Sequence, residues 1–208
     1  MGESSGQGTG SHYTALPLED CCKAHEGTLY IPAKALSIVW GNDVRYWRMI
    51  HLPKEEHYLE FDHAAELVQV NWLEVVCKLE WWKMEKSFFF FFDVEGLEPK
   101  TKMTYEISWV IKFNVDAFGW HNAPVKFKVP WEDEEGRVQW WTKEQNLEQY
   151  MKKGIGKGRW LELPGGEFTV DVCGKSAPVA FGLFETETDW WKGGLVVAGA
   201  KIKPKNFN

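Results

Sequence analysis

Residues 105–113 alternate between two kinds of side chain with a period of two. Apolar side chains occupy every second position: Tyr105, Ile107, Trp109, Ile111 and Phe113. Smaller or polar side chains occupy the positions between them: Glu106, Ser108, Val110 and Lys112. Because successive side chains of a strand point to opposite faces of a sheet, this pattern predicts a β-strand with one buried face and one wetter face.

Other parts of the chain show similar strand patterns, including an alternation of apolar residues and lysines over residues 125–129. The further strand candidates are Ala35–Trp40, Val68–Leu79, Phe88–Phe92, Arg159–Leu163, Phe168–Cys173, Val179–Thr186 and Leu195–Lys203. One segment, Thr142–Lys153, instead predicts a short helix that ends at the glycines after it. Many short strands separated by Gly, Pro and Asn predict an all-β fold of antiparallel sheets packed face to face, with short helical excursions.

The chain divides into an N-terminal arm and one domain. Residues 1–28 are rich in Gly, Ser and charged residues, which predicts a flexible arm. A single β-sandwich domain is expected over residues 29–208, since sandwiches of this length are common. Five consecutive phenylalanines, Phe88–Phe92, cannot alternate in polarity. This run is either buried on both faces of its strand or forms an exposed patch that drives association.

Charge and hydropathy narrow the expected partners. A net charge of -6 at pH 7 repels nucleic-acid backbones, so electrostatics gives no reason to expect DNA or RNA as a partner. The first thirty residues contain no apolar stretch that resembles a signal peptide, and no segment approaches the roughly 20 apolar residues of a membrane span. We therefore expect a soluble, cytoplasmic protein that does not contact a membrane.

The four cysteines lack the CxxC spacing of zinc sites, so we expect neither a metal nor a cofactor. Cys77 and Cys173 lie in apolar, strand-like segments, where a free thiol is usually buried and inert. Cys21 and Cys22 lie in a polar segment, and adjacent cysteines do not easily bridge each other. These two are therefore candidates for an intermolecular disulfide in an oxidising setting.

Thirteen tryptophans exceed what the centre of one domain needs, and a surplus of indoles favours a stacking surface. One predicted strand ends at Trp40, a turn follows, and Trp47 lies just beyond it. The two indoles would flank a cleft floored by the polar residues Asn42, Asp43 and Arg45. Sugar rings have apolar C–H faces and polar edges, so this combination is typical of a carbohydrate site. The alternative is that both indoles belong to the core.

Three blocks of sequence resemble, in the same order, the corresponding blocks of the phloem protein 2 and Nictaba-related plant lectins. These blocks are IPAKALSIVWGNDVRYW, AAELVQVNWLEVVCKLE and WWKGGLVVAGAKIKPK, and they span residues 29–205 with gaps. The resemblance implies a β-sandwich of jelly-roll type that binds oligomers of N-acetylglucosamine (GlcNAc), known as chitooligosaccharides, and the N-glycan cores of glycoproteins. It also implies a homodimer in the cytoplasm, nucleus or phloem sap.

The same resemblance implies particular site residues. Two tryptophans and acidic residues take part in sugar binding in that family. The matching tryptophans here are Trp40 and Trp47, and the acidic residue that fits best is Glu185. A second family acid has no counterpart, because Pro178 lies near its place and the preceding loop differs.

Two other classes of function compete with the lectin. Glu185 and Glu187 lie two apart on a predicted strand and would share a face, as the carboxylate pair of a glycoside hydrolase requires. Surface carboxylates at this spacing are usually only solvated, and the chain has neither an HExxH pair nor a GxSxG elbow, so we expect no enzyme. The second competitor is a structural phloem protein that assembles through Cys21 and Cys22 and crosslinks to other phloem proteins.

Overall fold

The computed structural model describes residues 11–80, 102–121, 123–132, 137–152, 158–171 and 178–205. Within these ranges, twelve strands form two antiparallel sheets packed face to face. Two α-helices, α1 (Leu18–Cys21) and α2 (Glu148–Lys152), and two 3₁₀ helices, Ala33–Ala35 and Lys54–Glu56, are all short. The prediction of an all-β, antiparallel sandwich of jelly-roll type with short helical excursions is confirmed.

The strands in chain order are β1 (Lys23–His25), β2 (Thr28–Pro32), β3 (Ser37–Ile38), β4 (Trp47–His51), β5 (His63–Leu67), β6 (Leu73–Leu79), β7 (Lys102–Phe118), β8 (Pro124–Glu132), β9 (Val138–Asn146), β10 (Leu161–Asp171), β11 (Val179–Glu185) and β12 (Gly193–Pro204). Sheet one has seven strands, with β12 at its centre. Along one side β12 pairs with β7, and along the other it pairs with β2 and β5. Sheet two has five strands in the order β3, β6, β11, β8 and β9, so β3 and β9 form its opposite edges.

The core lies between the inner faces of the two sheets. The five apolar positions of the alternating segment 105–113 are all buried, as the period of two predicts. Trp109 of β7 meets Phe181 of β11 edge to face, with ring centroids 5.8 Å apart, and this contact joins the two sheets. Gly165 makes room for that indole, because a Cβ there would lie 2.6 Å from the Cδ1 atom of Trp109.

The opposite face of β7 is partly exposed at Glu106 and Ser108, as the pattern predicts, but it is covered at Val110 and Lys112. Val110 and Lys112 are buried because residues 52–62, which connect β4 to β5, fold over the outer side of sheet one. Phe61 of this connection packs on Val110, and Glu56 accepts a 2.5 Å hydrogen bond from the Nζ atom of Lys112. A small second apolar layer therefore lies outside the sandwich core.

Several predicted elements have different bounds in the structure. The candidate strand Ala35–Trp40 contains only the two residues of β3, between a 3₁₀ helix and a turn. The candidate helix Thr142–Lys153 begins as part of β9, and only Glu148–Lys152 is helical. The run Phe88–Phe92 and the side chain of Cys173 lie outside the described residues.

The N-terminal arm is shorter than the sequence predicts. Residues 1–10 lie outside the described residues, but from Ser11 onward the chain follows the sandwich. The N–H of Tyr13 donates to the Ile38 carbonyl at 2.9 Å, and the N–H of Ile38 donates back at 3.1 Å. Leu18 is buried, and β1 extends sheet one by pairing with β2. The predicted boundary at residue 28 is therefore too late, because residues 13–25 already contribute backbone pairs and core contacts.

Candidate functional site

Trp40 lies in a tight turn at one end of the sandwich, directly after β3. The N–H of Gly41 donates to the Ile38 carbonyl at 3.0 Å, and the N–H of Asp43 donates to the Trp40 carbonyl at 3.0 Å. Trp40 itself has a φ of 61°, which is unusual for a bulky side chain. Its side chain is 40% exposed. The turn thus presents an indole to solvent from a backbone conformation that costs about 1–3 kcal/mol and must be held by its surroundings.

The N-terminal segment Ser11–Tyr13 provides that support. The backbone N–H of Trp40 donates to the Nδ1 atom of His12 at 3.0 Å, so the neutral imidazole carries its proton on Nε2. The Nδ2 atom of Asn42 donates to the His12 carbonyl at 2.8 Å. At Gly41 a Cβ would lie 2.5 Å from the Cβ of Tyr13, so only glycine allows this approach. Residues that the sequence assigned to a flexible arm therefore help to build the site.

The Trp40 indole is one member of a row of rings that we call the aromatic track, formed by His12, Trp40, Tyr46 and Trp191. Its ring centroids are 5.1 Å apart between His12 and Trp40 and 5.8 Å apart between Trp40 and Tyr46. Tyr46 and Trp191 follow at 6.5 Å, with an angle of 23° between the ring planes. Trp191 is 49% exposed. Three distant segments of the chain thus place neighbouring aromatic faces on one surface.

Asp43 and Arg45 organise the loop between Trp40 and Tyr46. The Oδ1 atom of Asp43 accepts hydrogen bonds from the backbone N–H and the Nε atom of Arg45, both at 3.0 Å. The Nη2 atom of Arg45 donates to Oδ2 at 2.6 Å, and the guanidinium lies 5.4 Å from the centroid of the Tyr46 ring. These hydrogen bonds hold the pKa of the Asp43 carboxyl below its usual range. Both polar side chains therefore lie beside the Tyr46 ring of the track, whereas a role of Asn42, Asp43 and Arg45 in sugar binding stays a prediction.

Trp47 does not lie on this surface, and the expectation that its indole is open to solvent is wrong. It is the first residue of β4 and is 2% exposed within the main core cluster. Its backbone pairs with Leu67 of β5, which turns the side chain into the sandwich. No hydrogen-bond partner for its indole N–H occurs among the described residues. Trp47 thus contributes apolar volume to the core and offers no face to a ligand.

Glu185 is also buried, at 2% exposure, so a direct contact with a sugar is not available to it. It forms an ion pair with the buried Lys192, whose Nζ atom also donates to the Asn71 carbonyl at 2.8 Å. Its carboxylate accepts hydrogen bonds from the backbone N–H and the hydroxyl of Thr188, at 3.0 and 2.9 Å. The Glu185 carboxylate therefore fixes the shape of the loop over residues 186–192.

That loop carries Trp191, and two further contacts hold its backbone. Lys192 exchanges two hydrogen bonds with Val70, at 2.8 and 2.9 Å. Gly119 packs so closely that a Cβ there would lie 1.9 Å from the Trp191 carbonyl oxygen. Because the backbone is fixed in advance, a ligand that stacks on Trp191 does not have to order the loop first.

The sequence predictions missed His12, Tyr46, Trp191 and Lys192. Trp191 and Lys192 lie in the WWKGG block that carries the family resemblance, so that block could have indicated both as site residues. His12 lies in the predicted arm, and Tyr46 lies between the two predicted site tryptophans, so neither is predicted as a site residue.

The three cysteines that the structure describes, Cys21, Cys22 and Cys77, show no sign of high reactivity. Burial raises the pKa of the Cys22 and Cys77 thiols, and it is also the largest cause of a raised pKa at Cys21. A raised thiol pKa lowers the fraction of thiolate, which is the reactive form. The Sγ atom of Cys21 donates to the Pro17 carbonyl at 3.2 Å. An intermolecular disulfide through Cys21 or Cys22 stays a prediction.

The described residues contain no group of three His, Cys, Asp or Glu side chains placed to hold a metal ion. Glu185 and Glu187 do not face a common space, since Glu185 pairs with Lys192 inside and Glu187 pairs with Lys126 outside. Among the helices of the described ranges, none has the length and apolar character needed to cross a membrane.

Comparison with known proteins gives a consistent family match. A family model described as phloem protein 2 matches residues 27–204. The Arabidopsis thaliana protein PHLOEM PROTEIN 2-LIKE A5 is 30% identical over 186 residues, which are 89% of this chain and 39% of that protein. PHLOEM PROTEIN 2-LIKE A2 from the same plant is 32% identical over 143 residues, which are 69% of this chain and 61% of that protein. This chain therefore spans less than two thirds of the length of these two relatives.

Two further likenesses concern proteins named for sugar binding. A Luffa acutangula protein named lectin is 27% identical over 184 residues, which are 88% of this chain and 73% of that protein. Among solved structures, the CBM22-1 xylan-binding domain from Paenibacillus barcinonensis Xyn10C aligns with a TM-score of 0.42 and 10% identity. That alignment covers 89% of this chain and 100% of the domain, but its low TM-score gives it no weight for function.

Proposed function

The chain belongs to the phloem protein 2 family, and from this premise we propose that it is a carbohydrate-binding lectin without enzymatic activity. The observation that carries the proposal is the aromatic track, a row of neighbouring rings at one end of the sandwich whose tryptophans are 40% and 49% exposed. The Luffa relative that is named lectin supports the same assignment.

The chemistry of the track suits a sugar. The C–H face of a pyranose stacks on an indole or phenol ring, and the hydroxyls at its edge need hydrogen-bond partners. The Arg45 guanidinium, with its side chain 73% exposed, lies beside the Tyr46 ring and supplies donors at that edge. Two aromatic faces and a few net hydrogen bonds give about 4–6 kcal/mol, which corresponds to millimolar to tens of micromolar affinity.

GlcNAc oligomers and N-glycan cores are the ligands we propose for this site. The acetamido group of GlcNAc combines an apolar methyl, which packs on a ring, with an amide that donates and accepts one hydrogen bond each. The Arg45 guanidinium, which Asp43 orients and whose side chain is 73% exposed, offers a donor for the amide oxygen beside the track. A homodimer would compensate for weak single-site affinity by presenting two sites to one array of glycans.

The test is a glycan array probed with the wild type, Trp191→Ala and the control Trp140→Ala. Trp140 is 54% exposed on β9, at the edge of sheet two opposite to β3, so the control removes an equally open indole far from the track. We expect GlcNAc-containing glycans to bind the wild type and the control but not Trp191→Ala. Equal binding by all three proteins would contradict the proposed site, and an empty array for the wild type would contradict the lectin.

A further inference from the structure

Trp190 is the most exposed described tryptophan outside the aromatic track, at 55%, and it lies next to Trp191 in the chain. Its ring lies 5.9 Å from that of His121, with a tilt of 46° between the two planes. His121 is exposed and follows Trp120, whose buried indole donates to the Gly193 carbonyl at 2.8 Å. The Trp120–Gly193 hydrogen bond therefore links the two backbone segments that carry the Trp190 and His121 rings.

The same polar contacts that hold Trp191 also hold Trp190. Both residues lie between Glu185 and Lys192, whose buried ion pair joins the two ends of the loop. An indole that is half open to water gains little from burial, so packing does not explain why this loop keeps Trp190 at its surface. Because the loop is rigid, the position of the Trp190 ring relative to the track is set before any ligand arrives.

Because Trp190 and Trp191 are neighbours in the same loop, we propose that Trp190 and His121 form a second sugar-stacking subsite. This subsite receives a further residue of the oligosaccharide bound on the aromatic track. The proposal rests on the proposed lectin function and adds a preference for chain length. The Trp190 ring supplies an apolar face, and the two ring nitrogens of His121 supply hydrogen-bonding atoms for hydroxyls. The exposed Asp189 adds a carboxylate acceptor next to the indole.

The small size of this patch favours a sugar over a second protein chain. A stable protein interface buries roughly 800 Å² on each partner, whereas one tryptophan contributes about 150–250 Å². One sugar ring, in contrast, needs only one aromatic face and a few polar groups. A second protein chain is therefore the less favoured occupant of this patch. The experiment distinguishes it from a sugar.

The experiment measures, by isothermal titration calorimetry, the affinity of GlcNAc oligomers of increasing length for four proteins. These are the wild type, Trp190→Ala, His121→Ala and the control Trp140→Ala. We expect the wild-type affinity to rise with oligomer length. Trp190→Ala should lose roughly tenfold in affinity for the longest oligomers and almost nothing for the shortest, because one stacked ring contributes about that factor. His121→Ala should show a smaller loss with the same dependence on length.

Each other outcome has a distinct meaning. If Trp190→Ala binds every oligomer as the wild type does, the second subsite is overturned and the lectin function stands. If Trp190→Ala loses short and long oligomers equally, Trp190 belongs to the primary site and the separate subsite is overturned. A change from oligomer to monomer on gel filtration, with unchanged affinity per site, would show a self-association surface and overturn the subsite. If the wild type binds no GlcNAc oligomer at all, the proposed GlcNAc ligand fails together with the subsite, and the glycan array decides whether the lectin function stands.

Discussion

Trp40 and Trp47 lie seven positions apart in one block of sequence, yet the structure places them in opposite environments. Trp47 starts a strand, and its register against Leu67 directs the indole into the core. Trp40 sits in a turn with a positive φ, and contacts from Ser11–Tyr13 hold its indole at the surface. Strand register therefore determines which tryptophan fills the core, and polar contacts of loops determine which one stays open.

This difference separates the residues that stabilise the fold from those that bind. Buried indoles should influence the free energy of unfolding, and indoles of the track should influence affinity. The Glu185–Lys192 ion pair connects the two, because it is buried like a core residue and shapes the loop that carries Trp191.

Trp47→Ala should produce the largest loss of stability. Removing this enclosed indole lowers the free energy of unfolding by about 3–5 kcal/mol, since the core around it relaxes only in part. Urea denaturation followed by circular dichroism measures the change, with Trp140→Ala as the control that stays within about 0.5 kcal/mol of the wild type. A loss below that range for Trp47→Ala would contradict the core position of this residue.

Lys192→Met should produce the next largest loss of stability, with a decrease of about 3 kcal/mol in the free energy of unfolding. The reason is that it leaves the buried Glu185 carboxylate without its cation. The matched control is Lys126→Met, which breaks an ion pair with the exposed Glu187 and should change the free energy of unfolding much less, because water screens an exposed pair. The same denaturation experiment compares the two. Similar losses for both variants would mean that the Glu185–Lys192 pair is not sealed from water.

Trp40→Ala should alter binding far more than stability. We expect roughly a tenfold loss of affinity for a GlcNAc trimer, the size of one stacked aromatic contact, and a change in unfolding free energy within about 1 kcal/mol. Calorimetric titration and denaturation of the same sample test both parts. A decrease in unfolding free energy for Trp40→Ala as large as that for Trp47→Ala would contradict the difference between the two residues.

The smallest effect concerns pH. The Asp43 pKa lies below its usual range because Arg45 hydrogen-bonds to the carboxylate, so the pKa of this group is lower in the folded than in the unfolded protein. The stability that the Asp43 carboxylate contributes to the loop is fully present above its unfolded-state pKa of about 3.9. This stability is lost as the pH falls through the folded-state pKa. Affinity measured from pH 7 down to about 5 should therefore change little through Asp43. A fall in that window that disappears in Asp43→Asn would contradict this assignment.

The sequence predicted the sandwich well because the period of two over residues 105–113 identifies the face of β7 that enters the core, although it does not report the cover over Val110 and Lys112. The burial of Glu185 was also predictable, because this residue shares its strand face with the buried Phe181 and Leu183. The partner Lys192 was not predictable in the same way, since it lies at the far end of the loop that connects β11 to β12. The contact between Tyr46 and Trp191 depends on how distant segments fold together, and no local pattern reports it.

The central claim is that the tryptophans of the aromatic track receive the sugar and the core tryptophans do not. The most direct test follows the indole N–H resonances of Trp40, Trp191 and Trp47 in a ¹⁵N-labelled protein while a GlcNAc trimer is added. The account predicts that the resonances of Trp40 and Trp191 shift in a saturable way and that the resonance of Trp47 stays in place. Saturable binding with Trp40 and Trp191 unmoved would contradict it.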